Sequence, residues 1–284
     1  MESHDLLIFK HVAESHSISK AAEKLGYVQS NISQRIKILE AELGVRLLNR
    51  NNRGVTITNE GATLLDYANQ ILLLMEEAKI ELNPEKWPEQ LTIGATQTVS
   101  ALRVPRILSS FLNVHEQVEV KVKTDTARLL LEQMIYGEID GAFISEPFDQ
   151  DGLKTVYTIV EKVSLISSTS CPVEKQPEQT LLVNSDPHCI YRQKLIHLAK
   201  KNSQKNARII EFDSLEAILQ SVSDGLGISL VPSDVAKLSR YEHEYTISEL
   251  PETVQINFVI KNRQQQPKGL KRFIKFLSEE TYSK

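Results

Sequence analysis

Residues 9–61 read FKHVAESHSISKAAEKLGYVQSNISQRIKILEAELGVRLLNRNNRGVTITNEG, and this stretch decides the fold of the N-terminal part of the chain. Its apolar residues recur every three or four positions, which predicts short helices that each bury one face. Gly26 ends a helix that starts near Ser19, because glycine readily takes the left-handed conformation of a helix C-terminus. A second helix is predicted from Ser30 to Leu43. Helix, tight turn and helix form the unit that places its second helix in the DNA major groove.

The outward face of the second helix carries side chains that suit DNA. Glutamine pairs with adenine, arginine with guanine and serine with either base, whereas lysine suits a phosphate. A turn with two arginines follows, and the alternation of Val55, Thr56 and Ile57 predicts a short strand beside it. The basic tip of such a hairpin can reach phosphates or the minor groove. For the helix alone, an ordinary solvated face is the alternative. The predicted DNA contacts are Gln29, Ser30, Ser33, Gln34, Arg35, Lys37, Arg50 and Arg53.

This stretch resembles the signature of the LysR-type transcriptional regulators of bacteria, without gaps over the first sixty-odd residues. One departure is Leu48, where that family commonly has phenylalanine. Both residues are apolar, so we expect a small repacking and no change of role. The residues that carry the resemblance are Ser17-Ile18-Ser19, Ala21-Ala22, Leu25, Gln29-Ser30, Ile32-Ser33, Leu39-Glu40, Leu43-Gly44, Leu47, Arg50, Arg53, Thr58 and Gly61.

Composition bounds the class of protein. The chain has 284 residues, enough for a small domain and a larger one, and its net charge is −4. Residues 1–58 carry a net charge of +2 and the remainder −6, which fits a DNA-binding head on an acidic body. The start MESHDLLIFK has no apolar core of a signal peptide, and no run is long enough for a membrane span, so we expect a cytoplasmic protein without a membrane partner. Two cysteines and the histidine spacing predict neither a disulfide framework nor a metal site.

A long helix is predicted from Asn59 to Asn83, where Pro84 ends it. Its apolar residues are spaced alternately four and three apart for almost three heptads, which favours dimerisation through this helix. Leu65 and Leu72 flank that stripe and keep open the alternative that the helix lies on its own domain. The resemblance also implies a dimerising linker helix here. The predicted dimer stripe is Leu64, Ala68, Ile71, Met75, Ala78 and Leu82, and residues 84–90 form a polar hinge.

From residue 91 onward, strands and helices alternate, which predicts an α/β body. IGA at 93–95, GEIDGAFI at 137–144 and DGLGISLVPSDVA at 224–236 resemble the effector domain of the same family, a two-lobed, periplasmic-binding-protein-like fold. We place the crossings between lobes near Glu161–Val163 and Val254–Ile260. The predicted domains are a winged helix-turn-helix of all-α type at 1–58, the linker helix and hinge at 59–90, and the body at 91–284. Lobe one is about 91–162 plus 261–284, and lobe two about 163–260.

Ligands of open α/β sheets bind beyond the carboxyl ends of strands, beside helix N-termini. Hydroxyl groups follow two such strands, and helix capping is a compatible alternative, above all for Thr126. Arg192 can pair with an anion or lie on the surface. For Cys189 a buried apolar role is favoured over a redox role, and His188 is a loop residue. The predicted effector-binding residues are Thr96, Thr98, Ser100, Thr126, Ser145, Cys189 and Arg192, and the expected effector is small and polar or anionic.

Catalytic motifs are absent from the sequence. Gly225 and Gly227 form a lone GxG that lacks the third glycine and the acidic residue of a dinucleotide site. We therefore expect no enzyme, no catalytic residues, no metal and no cofactor besides the effector. Two alternatives stay open: a DNA-binding protein whose body only oligomerises or recruits partners, and a solute-binding protein, which would leave the first eighty residues idle.

The expected function is sequence-specific regulation of transcription under the control of an effector bound between the two lobes. The expected partners are double-stranded promoter DNA and further copies of the chain. The resemblance implies a homodimer that pairs into a tetramer, a dimer of dimers, and RNA polymerase is a further candidate partner.

Overall fold

The computed structural model describes residues 1–51, 54–83, 86–145, 152–170, 180–201, 207–262 and 266–281. The N-terminal head contains three helices and a two-stranded wing. The Ser17 side chain accepts a hydrogen bond from the backbone N–H of Lys20 and caps α2, and Gly26 ends α2 with a φ of +70°. The predicted helix-turn-helix is confirmed. Its elements are α1 (Ser3–Ser15), α2 (Ile18–Leu25), α3 (Gln29–Leu43), β1 (Leu48–Asn51) and β2 (Gly54–Ile57).

One apolar core holds the head together. Phe9, Val12, Ile32, Ile36 and Leu39 have at most 1% of their surface exposed. They occupy the inward stripes that the three- and four-residue spacing predicts, so burial of these stripes fixes the outward face of α3. The wing closes over the same core through buried apolar residues of both its strands.

The linker helix α4 spans Asn59–Leu82, in agreement with the predicted bounds. Its first turn is capped by Thr58, whose hydroxyl accepts a hydrogen bond from the backbone N–H of Gly61 at 2.9 Å. One face of α4 packs on α1 of the same chain and buries Leu65 and Ala68. The prediction is therefore wrong for Ala68: with 0% exposed, it is covered by its own chain and cannot touch a second copy.

The body, from residue 90 onward, is built on a six-stranded sheet in the order β4-β3-β5-β10-β6-β9 and a parallel pair, β7-β8. Helices cover both sheets, and an apolar core runs beneath them. This is the predicted α/β architecture. The elements are β3 (Gln90–Ala95), α5 (Gln97–Leu102), α6 (Val104–Val114), β4 (Glu119–Thr124), α7 (Ala127–Tyr136), β5 (Gly141–Ser145), β6 (Leu153–Ser168), β7 (Thr180–Asn184), α8 (Ile190–Lys201), β8 (Arg208–Phe212), α9 (Leu215–Ser223), β9 (Ser229–Pro232), α10 (Ser233–Leu238), β10 (Tyr245–Lys261) and α11 (Lys268–Thr281).

Two long antiparallel strands, β6 and β10, run through both lobes. β6 leaves lobe one at Glu161–Val163, because its later residues pair with β9 of lobe two. The predicted second crossing, Val254–Ile260, is wrong: residues 256–260 pair with β5 inside lobe one. The β6–β10 register breaks between Glu249 and Thr253, and the crossing lies there. Lobe one thus takes back β10 from about residue 254, and lobe two ends near residue 249.

Lobe one is joined to the head and linker by ion pairs. The ammonium group of Lys261 lies 2.5 Å from the Asp66 carboxylate, and that of Lys268 lies 3.1 Å from Glu81. The ring of Tyr136, on α7, stacks edge-on against His16 of the head. These contacts fix the orientation of lobe one relative to its own head. Within the described ranges, no helix combines the length and the apolar character that crossing a bilayer requires.

Candidate functional site

The outward face of α3 presents a row of polar side chains. Gln29, Ser30, Gln34 and Lys37 are all exposed, as predicted, while the core holds the opposite face. The Gln29 amide oxygen accepts a hydrogen bond from the Ser19 hydroxyl at 3.1 Å, which orients Gln29 at the start of the helix. Amide and hydroxyl groups beside a lysine are the combination that reads base edges and contacts phosphate.

Two predicted contacts on α3 lie away from the centre of this face. Ser33 is only half-exposed. The guanidinium of Arg35 donates a hydrogen bond to the Asp5 carboxylate at 2.9 Å and lies 3.7 Å from Glu2. At 3.6 residues per turn, Arg35 points about 160° away from Lys37 around the helix. The structure therefore assigns Arg35 to a contact between α3 and α1 and removes it from the reading face.

The wing has the predicted form. β1 and β2 pair antiparallel, with Arg50 opposite Val55. The position of the Arg50 side chain and the whole of Arg53 lie outside the described residues, so their DNA contacts stay predictions. Two exposed residues beside these elements were missed: Asn31 in the first turn of α3 and Arg46 just before the wing. Both types of side chain contact DNA, but neither continues the periodic pattern that drew attention to α3.

A row of apolar side chains on α4 remains uncovered by the residues that the structure describes. Tyr67 is 61% exposed, Leu74 46%, Met75 40% and Leu82 86%. Ile71 is half-exposed and Ala78 exposed on the same side, whereas Leu64 packs partly against the head core. The exposed α4 stripe is therefore Tyr67, Ile71, Leu74, Met75, Ala78 and Leu82. It keeps four residues of the predicted stripe and has Tyr67 and Leu74 in place of Leu64 and Ala68.

A cleft of about 400 Å³ opens between the two lobes. Five predicted effector-binding residues line it: Thr96, Thr98, Thr126, Ser145 and Cys189. Lobe one contributes the first four, from the ends of β3 and β5 and the start of α5 and α7, and Cys189 precedes α8 of lobe two. The volume lies in the range of small-molecule sites. The parallel strands bring these hydroxyls to one edge, as strand order predicts.

Two predicted effector residues do not line this cleft. The Ser100 hydroxyl forms a hydrogen bond with the Thr124 hydroxyl at 2.7 Å, so it supports the wall from behind. The guanidinium of Arg192 donates to the backbone carbonyl of Asn184 at 2.8 Å and to the Glu211 carboxylate at 2.6 Å. Arg192 instead lines a second pocket beside the cleft, together with Gln97, Thr98 and Asn184, so its pairing with an anion stays a prediction.

The cleft carries acidic groups that the sequence reading missed. Asp125, Asp186 and Asp213 line it, and no lysine or arginine is found among the described lining residues. Asp125 and Asp186 also cap their own turns, accepting backbone N–H groups of Thr126 and His188. All three aspartates follow the end of a strand, where ligands of open α/β sheets bind. That position could have identified them as lining residues.

Gln97 bridges the mouth of the cleft. Its amide nitrogen donates to the backbone carbonyl of Asp213 at 2.5 Å, and its amide oxygen accepts from Asn184 at 3.0 Å. Gln97 belongs to lobe one and both partners to lobe two, so these bonds hold the lobes together on the ligand side. Cys189 is suited to packing, because burial raises the pKa of its thiol and disfavours the reactive thiolate. Where residues are described, no three side chains of metal-binding type converge.

Comparison with known proteins agrees with this division. Residues 3–62 match the family model described as bacterial regulatory helix-turn-helix protein, lysR family, and residues 85–281 match the LysR substrate binding domain. The Bacillus subtilis protein YusT, an uncharacterized HTH-type transcriptional regulator, is 40% identical over 256 residues, which cover 89% of this chain and 86% of YusT.

Two solved structures share the fold over almost the whole chain. Full-length LysG from Corynebacterium glutamicum with bound effector Arg superposes with a TM-score of 0.71 at 18% identity, covering 100% of this chain and 99% of LysG. CbnR in complex with its target DNA gives a TM-score of 0.56 at 23% identity, covering 98% of this chain and 99% of CbnR.

Proposed function

The chain belongs to the LysR family of bacterial transcriptional regulators, and on this premise we propose how its three parts produce regulation. The head binds DNA through α3 and the wing. We propose that α3 reads one half of a promoter site through Gln29, Ser30 and Gln34, with Lys37 on a phosphate. The support is the exposed polar face opposite a fully buried one.

The exposed α4 stripe pairs two copies of the chain in this proposal. An apolar row with heptad spacing on a helix outside the compact domains is stabilised when a second helix covers it. A two-fold dimer presents two heads to an inverted repeat, and dimers associate further into a tetramer. Promoter DNA is the primary partner, with RNA polymerase as a second one reached at the promoter. This work takes place in the cytoplasm, where bacterial DNA is transcribed, and it requires no catalysis.

The cleft binds the effector, and its lining defines the chemistry of that effector. Hydroxyl groups of Thr96, Thr98 and Ser145 suit a polar molecule, as expected from the sequence. The purely anionic alternative is disfavoured, because three aspartates and no cation stand in the described lining. We infer an effector that carries a cationic group, such as an amine or a guanidine.

The acidic lining is the observation that carries this effector class, and the fold is compatible with it, since LysG was solved with effector Arg. The test is thermal unfolding of the full chain with agmatine, L-arginine or succinate at matched concentrations. A ligand that binds only the folded state raises the unfolding temperature, because it stabilises that state by RT ln(1 + [L]/Kd). We expect the two cationic probes to stabilise the chain and succinate to have no effect.

A pair of neighbouring variants provides the control. Asp213→Asn removes one charge from the cleft, whereas Glu211→Gln removes one that pairs with Arg192 outside it. Stabilisation by agmatine should fall with Asp213→Asn and persist with Glu211→Gln. Stabilisation by succinate alone contradicts the assigned charge of the effector. If none of the three probes stabilises the chain, the alternative of a body that only oligomerises or recruits gains support.

A further inference from the structure

A buried carboxylate lies where β6 passes from lobe one to lobe two. Glu161 is 2% exposed. Its Oε1 accepts a hydrogen bond from Nε of Arg103 at 2.7 Å, and its Oε2 accepts one from the hydroxyl of Tyr191 at 2.7 Å. Arg103 also lies 3.0 Å from the Asp234 carboxylate. We call Arg103, Glu161, Tyr191 and Asp234 the interlobe cluster.

The members of this cluster come from both lobes. Arg103 stands between α5 and α6 of lobe one, whereas Tyr191 is on α8 and Asp234 on α10 of lobe two. Glu161 itself is on the crossing strand, opposite Val254 of the second long strand. Every hydrogen bond of the cluster therefore joins a lobe to the crossing or one lobe to the other. Rotation of lobe two about the crossing cannot occur without changing these bonds.

The cluster also reaches both walls of the cleft, through Arg103 on one side and Tyr191 on the other. Arg103 follows α5, the helix that carries Gln97 and Thr98 on the lobe-one wall. Tyr191 is in the first turn of α8 and is itself a lining residue, next to Cys189. The cluster thus connects the two helices whose first turns form opposite walls of the cleft.

Burial of the Glu161 carboxylate costs free energy that its partners in the cluster must offset. A carboxylate removed from water requires strong partners, and two charge-assisted hydrogen bonds of 2.7 Å supply them. Burial and the neighbouring Glu161 carboxylate raise the pKa of Tyr191 well above its usual value, so its hydroxyl remains a donor. Loss of either donor leaves one oxygen of the buried carboxylate without a hydrogen bond, which costs free energy. The loss of an apolar packing contact would leave no such unpaired group.

We propose that Glu161 is a positioning residue that sets the angle between the two lobes by binding Arg103 of lobe one and Tyr191 of lobe two at the same time. It does not touch the effector. Displacement of the first turn of α8 or α5 by a ligand reaches the other lobe through this carboxylate. That last step rests on the proposed function of the cleft, whereas the positioning role stands on the cluster alone.

The test is amide hydrogen exchange of the full chain, measured by mass spectrometry, for Tyr191→Phe. The substitution is in lobe two, and the reporters are lobe-one amides: Arg103 N, bonded to Val99 O at 2.9 Å, and Ile107 N, bonded to Arg103 O at 3.1 Å. We expect these amides to exchange at least tenfold faster, because Arg103 loses the fixed position of its partner.

Two reference amides separate this effect from general destabilisation. Ala21 N in the head and Leu182 N in the core of lobe two should keep their wild-type rates. The matched control is Tyr245→Phe, which removes another buried hydroxyl of lobe two, bonded to the Leu219 carbonyl at 2.8 Å and away from the crossing. It should leave the lobe-one amides unchanged.

Glu161→Gln is the second variant, in case Tyr191→Phe does not fold. It keeps the size of the side chain and removes its charge, and we expect the same amides to accelerate. Wild-type exchange at Arg103 and Ile107 in either folded variant overturns the proposal, as does equal acceleration by Tyr245→Phe. Agmatine binding by the wild type with these negative results would leave the proposed function standing and the positioning role refuted. Faster exchange of these amides in the variants, without agmatine binding by the wild type, would support the positioning role and contradict the proposed effector.

Discussion

Leu74 on α4 offers the sharpest test of the dimer. It is 46% exposed in the single chain, so about half of its surface is still open to a second copy. Complete burial of a leucine contributes ~1.5–3 kcal/mol, so the open half is worth roughly 1 kcal/mol. A two-fold interface contains the residue twice. Leu74→Ala should therefore weaken the dimer by about 2 kcal/mol, or roughly 30-fold in dissociation constant.

Ala68 lies less than two helical turns from Leu74, and we expect the opposite result when it is changed. If it lay in the dimer stripe, as its heptad position predicts, Ala68→Leu would add apolar surface and strengthen the dimer. The structure buries it completely within its own chain, so the larger side chain should overpack its surroundings at a cost of ~1–3 kcal/mol. We expect a lower unfolding temperature and an unchanged dimer dissociation constant.

Sedimentation velocity of the full chain over a concentration series measures these constants. Leu238→Ala is the control, because Leu238 is 58% exposed on α10 and lies outside α4. It should sediment like the wild type. An unchanged dissociation constant for Leu74→Ala would mean that contacts between bodies carry the dimer, and a tighter dimer for Ala68→Leu would restore the heptad stripe. Either result refutes the assignment of the exposed α4 stripe.

The other predictions concern the head and the cleft. Lys37→Ala should weaken binding to every DNA sequence and reduce the slope of log affinity against log salt by about one, whereas Gln34→Ala should change the preferred bases in a selection from random DNA. Thr98→Ala should weaken agmatine by ~1–2 kcal/mol in calorimetry without affecting DNA affinity, and Thr246→Ala, exposed on lobe two, should do neither. Ser17→Ala should lower the stability of the head to thermal unfolding by ~1 kcal/mol, because α2 loses its N-cap.

The head could be predicted in detail because its signals are local. Gly26 marks the end of α2 through its own backbone freedom, and Ser17 marks the start of the same helix by accepting a hydrogen bond from an N–H three residues away. The apolar spacing then decides which face of α3 is buried, and with it which side chains are left for DNA. The role of Arg35 could not be predicted in this way, because its partner Asp5 is 30 residues distant in the sequence and nothing beside Arg35 indicates the pairing.

Some errors in the rest of the chain share that cause. Spacing places Ala68 in the same stripe as Ile71 and Met75 on α4, and only the packing of α4 against the rest of the chain decides that Ala68 is buried. The misplaced crossing of β10 is a different case, because a local signal was present: Pro251 has no N–H for the strand ladder, and the β6–β10 register breaks around it, between Glu249 and Thr253. The chemistry of Arg192 predicted an anion contact, and no local signal indicated that the Glu211 carboxylate on β8 would pair with it beside the cleft.

How effector binding in the cleft can affect DNA binding depends on which lobe is fixed to the head. Lobe one is fastened to the linker helix by Lys261 on Asp66 and Lys268 on Glu81, and to the head through Tyr136 on His16. Each exposed ion pair contributes little alone, but together they orient one rigid surface. A ligand that changes the interlobe angle therefore moves lobe two while head and lobe one travel together. In the proposed dimer, α4 pairs the heads, so that movement acts on DNA only by changing how neighbouring copies pack. An effector should therefore alter the spacing of heads within an oligomer and leave each head's own base contacts unchanged.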